Sequence, residues 1–237
     1  MRLARILTIP LLCMSLVGVP TRVHAVTTPA ATSLQMLSKD TRIGYQQVYT
    51  IKGILRNAVG KPMPGRRVVV QVSANGMPIH TLTSVITAAD GTASLRVRPL
   101  WATCYRFRFT GDSLSAPSTS GDAIITPKAS LPAPQVPSVA GVNRFFMLYG
   151  LVRPMDRAAN RTKPGYNSIK ISFYRYQSGK WVHKYDRWLT ARTYVQGWGK
   201  YWTRVALPTR GSWRVRAFHW CADHAPTYSA YHSFAVR

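Results

Sequence analysis

The 237-residue chain carries 32 Lys or Arg against seven acidic residues, for a formal charge of +25. All seven acids are aspartates, so paired-carboxylate chemistry has little to draw on, while the cationic excess attracts polyanions through a field that salt weakens. An arginine-rich coding bias alone would give the same count, so composition by itself does not name a partner.

The chain opens with Arg2 and Arg5, then an apolar run over residues 6–19, then Val23-His24-Ala25. That order is an export signal with a small-residue cleavage site, expected to be removed after Ala25. The run is shorter than the roughly 20 residues a permanent spanning helix needs. Leu12 before Cys13 argues against a lipid-anchored cysteine. The mature chain is expected to be secreted, without a transmembrane anchor, and free to associate with a cell wall. Residues 26–40 are small and polar and read as a flexible lead. Four prolines in the stretch 127–140 (Pro127, Pro132, Pro134 and Pro137) read as an extended linker. The boundaries are then 41–126 for a first domain and 141–237 for a second.

Both domains show strand periodicity. In the first, Val48 to Leu55 is a strand candidate, Gly60-Lys61-Pro62-Met63-Pro64-Gly65 is turn chemistry, and Val68 to Val72 follows. Asn75-Gly76 and Asp90-Gly91 are further turns. Ala93, Leu95 and Val97 then alternate with polar residues, and Tyr105, Phe107 and Phe109 alternate with Arg106 and Arg108. In the second, Ile169, Ile171 and Phe173, then Tyr201, Thr203 and Val205, then Trp213, Val215 and Ala217 do the same. Period-two alternation buries one face and turns the other outward. Short strands between turn signals predict an all-β sandwich or barrel. The segment from Tyr105 to Ser120 parallels that from Trp213 to Ser229, which suggests an internal duplication pairing Arg106 with Arg214 and Arg108 with Arg216.

From Gly53 to Asp112 the spacing of glycines, Pro62, Pro64, Asp90-Gly91 and Tyr105-Arg106 resembles the immunoglobulin-like domains repeated in secreted and surface proteins of actinobacterial type. Ser178-Gly179-Lys180-Trp181 and Gly211 to Ala217 carry the likeness into the second domain. The resemblance implies two immunoglobulin-like β-sandwiches in tandem, a fold used for adhesion, spacing and display. On that topology the start of one strand F and the end of the other meet at the linker. Cys104 and Cys221, the two cysteines left after export, are therefore expected to form an interdomain disulfide in an oxidising compartment.

Candidate chemistry is sparse. Gly111-Asp112-Ser113-Leu114 spells a serine-esterase signature, but no Asp-x-x-His follows it and Gly-Asp is ordinary turn chemistry. His219, Cys221 and His224, with His232 as a distant fourth, have the residue types of a metal site. With no second ligand pair the simpler reading is a polar turn, so no metal, cofactor or catalytic group is assigned. Arg67, Arg106, Arg108, Lys170, Arg214 and Arg216 should project outward as a basic face for a polyanion. The expected partner is an anionic cell-wall polymer, polysaccharide or envelope surface, or other surface proteins, with no specific nucleic acid. The alternative is carbohydrate stacking on Trp188, Trp198 and Trp202, more aromatic surface than a core of this size absorbs.

Overall fold

The computed structural model describes residues 28–74, 77–157 and 161–237. The expected export segment and the Asn75-Gly76 turn lie outside them. Regular structure among these residues is entirely β-strand, and no helix among them is long and apolar enough to cross a membrane.

In the first half, β1 (Thr32–Met36), β3 (Tyr49–Asn57) and β6 (Thr92–Val97) form one sheet in the order β1-β3-β6. The opposing sheet runs β2-β9-β7-β4-β5, built from β2 (Thr41–Ile43), β4 (Arg67–Ala74), β5 (His80–Ile86), β7 (Thr103–Phe109) and β9 (Ala123–Pro127). A short β8 (Ser118–Thr119) pairs with β7. Ile51, Leu55 and Ala93 of one sheet pack against Val68, Val70, Phe107 and Ile125 of the other, all of them fully buried. The alternation explains this directly, because Val68, Val70 and Val72 point inward while Arg67, Val69 and Gln71 do not.

The second half repeats the path of β2 to β9, while among the described residues β1 has no strand counterpart there and the matching sheet adds a short strand at the opposite edge. One sheet is β11-β15-β14, from β11 (Phe146–Val152), β14 (Arg192–Thr193) and β15 (Gly199–Val205). The other is β10-β18-β16-β12-β13, from β10 (Val139–Ala140), β12 (Ser168–Gln177), β13 (Lys180–Thr190), β16 (Gly211–His219) and β18 (His232–Val236). A short β17 (Thr227–Tyr228) pairs with β16 as β8 does with β7. Its separate core centres on Leu148, Ile169, Ile171, Phe173, Tyr201 and Val215. Details recur too. The short entering strand runs parallel to the last strand in both halves, β2 beside β9 and β10 beside β18. The β4–β5 ladder slips at Val70/Gln71 and the β12–β13 ladder at Phe173/Tyr174. A buried serine hydroxyl accepts a strand amide in each, Phe107 N to Ser120 Oγ at 2.9 Å and Ala217 N to Ser229 Oγ at 2.8 Å.

Those matching bonds correct the repeat register read from sequence. They align Phe107 with Ala217, hence Arg106 with Arg216, and Arg108 with Phe218 rather than Arg216. Two other expectations change. The flexible lead is in part β1, whose Leu34 is buried while its neighbours stay polar. The linker is not a free spacer, because Ala129 and Leu131 are buried in the second core, Ser130 bridges Arg153 and Gln135 bridges Tyr149. Prolines forbid ladder donation but not side-chain burial, so the segment acts as an edge of the second half.

Candidate metal centre and binding faces

The alternation that buries Trp213, Val215 and Ala217 on β16 also carries His219 inward at the strand's end. The chain then turns through Trp220 and folds back so that Cys221 and His224 face the same point. Asp156 comes from the β11–β12 connection, held by reciprocal bonds in which Asp156 N donates to Asn167 Oδ1 at 3.2 Å and Asn167 N donates to Asp156 Oδ2. Gly165 lets that connection seat on the loop. It has φ +81°, and a Cβ there would collide with the Trp220 carbonyl.

One atom, Asp156 Oδ1, is the focus. His219 Nε2 lies 3.2 Å from it, Cys221 Sγ 3.0 Å and His224 Nδ1 3.0 Å, with Cys221 Sγ and His224 Nδ1 3.4 Å apart. Asp156, His219 and His224 are buried and Cys221 half-buried, and the four donor atoms lie within 4.8 Å of one another. The outer ring nitrogens also have partners. His219 Nδ1 donates to the Ser168 carbonyl at 2.9 Å, and His224 Nε2 donates to the Leu100 carbonyl at 3.2 Å. Burial, reinforced by the Asp156 charge, pushes the Cys221 thiol up. A buried thiol held protonated is a poor nucleophile, whereas four converging N, S and O donors suit a metal ion.

This cluster revises the polar-turn reading of His219, Cys221 and His224. His232 is not the fourth member, since it sits on β18 opposite Val215. Asp156 is, and its 63-residue separation from His219 left no local signal. The cluster also accounts for the cysteines. The two loops do meet, with Ala102 N donating to Asp223 O at 2.8 Å, but both thiols are free and the expected Cys104–Cys221 disulfide is absent. Cys221 turns into the cluster. Cys104 lies on the outer face of β7 with Arg106 and Arg108, beside Asp122.

The six basic residues fall on two outer faces. Arg67, Arg106 and Arg108 share the β2-β9-β7-β4-β5 sheet. Arg67 Nε donates to Ser84 Oγ at 3.0 Å and Arg106 Nε to Gln71 Oε1 at 3.0 Å, which orients both guanidinium groups. Lys170, Arg214 and Arg216 share the β10-β18-β16-β12-β13 sheet, where they interleave with aromatic rings. Arg214 lies 3.8 Å from the Tyr231 ring and 4.7 Å from Trp181, Arg216 4.3 Å from Tyr228, and Lys170 5.4 Å from Phe218. Lys170 also pairs with Asp186 at 3.5 Å.

The three tryptophans do not make one platform. Trp188 is exposed on β13 opposite Lys170, on the sheet that carries Arg214. Trp202 is exposed on β15, in the other sheet, where Arg192 lies 5.7 Å from its ring. Trp198 sits in the β14–β15 turn with Arg153 5.5 Å from its ring. Trp202 does line a groove of about 490 Å³ with Met147, Tyr149, Thr193, Tyr194 and Lys200. The Gly111-Asp112-Ser113-Leu114 motif forms a turn in which Asp112 N donates to Ser115 O and Leu114 N to Asp112 Oδ1. No protein-family model matches the chain, and no curated protein sequence matches it.

Proposed function

We propose that this is an exported, non-catalytic binding protein made of two immunoglobulin-like sandwiches in tandem, which holds an anionic envelope or extracellular polymer on its basic sheet faces. The sandwich reading is supported by the strand order in each half. A three-stranded sheet opposes one in which the entering strand lies parallel to the last, an arrangement that fits the immunoglobulin plan.

The observation that carries the binding reading is where the aspartates go. Asp40 accepts from Ile124 N, Asp90 from Thr92 N, and Asp112 from Leu114 N and Arg66. Asp122 adjoins Cys104, Asp186 pairs with His183 and Lys170, Asp156 is inside the cluster, and Asp223 pairs with Arg157. Among the described residues Lys170 is neutralised by Asp186, while Arg67, Arg106, Arg108, Arg214 and Arg216 form no salt bridge with any of these acids. Those near Gln71, Ser84 and the tyrosines are oriented, so their forked donors meet phosphate, sulfate or carboxylate at reduced entropic cost.

The test is retention of the full chain on immobilised polyphosphate and on a sulfated polysaccharide across a salt gradient. The unaltered protein should stay bound at low salt and elute well before ~0.5 M. Arg67→Ser combined with Arg106→Ser and Arg108→Ser should elute at clearly lower salt. Retention indifferent both to salt and to these changes overturns the reading. A second reading, a carbohydrate module, is favoured by the Trp202 groove alone. It requires binding that survives salt, is competed by free sugar and is lost in Trp202→Ala, since stacking on an aromatic ring is not screened by salt.

A further inference from the structure

We infer that Asp156, His219, Cys221 and His224 form a closed tetrahedral zinc site that locks the second half's loops together and onto the first half. The tautomers carry the argument. A carbonyl oxygen only accepts, so His219 Nδ1 and His224 Nε2 must both bear protons to bond Ser168 O and Leu100 O. A neutral ring has one such proton. The inner nitrogens, His219 Nε2 and His224 Nδ1, therefore aim lone pairs at Asp156 Oδ1, itself an acceptor.

Two buried imidazolium ions against one carboxylate would resolve the conflict at a large desolvation cost. A divalent cation resolves it by accepting both lone pairs, its dehydration offset by four ligand bonds. With Zn²⁺ the sum over two neutral imidazoles, one thiolate and one carboxylate is zero. Outer N–H groups fixed on carbonyls are the usual support of metal-binding histidines. Bonds of about 2.0–2.3 Å around tetrahedral zinc place neighbouring donors roughly 3.3–3.7 Å apart. Four of the six donor pairs, at 3.0–3.4 Å, need only a few tenths of an ångström of expansion, and the other two, both to His219 Nε2, lie within 4.8 Å. The mixed N, S and O set favours zinc over calcium or magnesium. Four protein donors, three of them buried and Cys221 half-buried, fill a tetrahedral shell, so the site is structural rather than catalytic. Binding releases the Cys221 thiol proton and involves no electron transfer.

The same ligands grip the first half. His224 bonds Leu100 O, Asp223 O accepts from Ala102 N at 2.8 Å, and Met155 O accepts from Trp101 Nε1 at 3.0 Å, each beside a zinc ligand. Fixing the ligands therefore fixes the surface that residues 100–102 dock on.

Full-length protein purified without chelator should carry one zinc per chain by elemental analysis and native mass spectrometry. Reconstitution with Co²⁺ should give tetrahedral absorption with a thiolate charge-transfer band. Cys221→Ser should lose that band and bind zinc more than about 100-fold more weakly, a larger loss than removal of an outer partner causes. Stripping the metal should increase the radius of gyration in solution scattering. If Cys221→Ser does not fold, the cobalt spectrum of the unaltered chain still decides. Failure to retain Zn²⁺ or Co²⁺ after dialysis, or a Cys104–Cys221 disulfide in the purified protein, overturns the site. Scattering unchanged on metal removal overturns the lock.

Discussion

The two halves share a strand path, a slipped ladder and a buried serine, yet the loop leaving β7 and the loop leaving β16 differ in kind. In the first half that loop is Gly111-Asp112-Ser113-Leu114, a turn stabilised by its own backbone and by an Arg66–Asp112 pair that is largely open to solvent. In the second the equivalent loop brings Cys221, Asp223 and His224 inward to Asp156 and Arg157 and abuts the first half. The shared path provides the frame, and one loop is where the copies part. The substitution that permits this is at the strand's end, where Phe109 packs in the first core and His219 occupies the matching position of the second.

The sharpest break of that comparison is to neutralise the two loop aspartates separately. Asp223→Asn removes the buried carboxylate beside Arg157 and should cost about 3–5 kcal/mol, whereas Asp112→Asn removes an exposed, solvent-screened pair and should cost far less. Denaturant unfolding checks this, and equal losses would mean the loops do not differ energetically. A smaller effect tests the space that glycine leaves for an aromatic ring, between the sheets at Gly53 and across one ladder, opposite Tyr201, at Gly150. A Cβ on Gly53 comes within 2.7 Å of Phe107 Cδ2, and one on Gly150 closer still to the buried Tyr201 hydroxyl. Gly53→Ala and Gly150→Ala should each destabilise by about 1–3 kcal/mol, Gly150→Ala more, measured as shifts in thermal midpoint. Least of all, Ser120→Ala and Ser229→Ala each strand one buried strand amide and should cost about 1–2 kcal/mol by the same amount in either half. Unequal losses here would show that the repeat is one of path without being one of energetics.

What could be read from the residues follows the same division. Strands β4, β7, β12 and β16 were legible because each buries every second side chain, and alternation is a local signal. Strand β1 was not, since only Leu34 and, in part, Met36 reach the core from an otherwise polar segment. The packed linker was hidden because proline reports on hydrogen bonding, while Ala129 and Leu131 act through burial. Three of the cluster's residues stood together as His219, Cys221 and His224. Asp156 came into view only when an aperiodic connection folded over them. The outward arginines were legible as a class but misaligned between halves by two residues, because only the serine bonds define the true register.

The parallel pairing of β2 with β9, and of β10 with β18, has a mechanical consequence. In each half the strand that enters and the strand that leaves lie side by side and point the same way. A load drawn between the two ends of a half, once β1 has peeled from β3, slides these neighbours lengthwise. Their hydrogen bonds must then yield together rather than one after another. A chain tethered at one end and pulled at the other would resist as a pair of shear clasps in series.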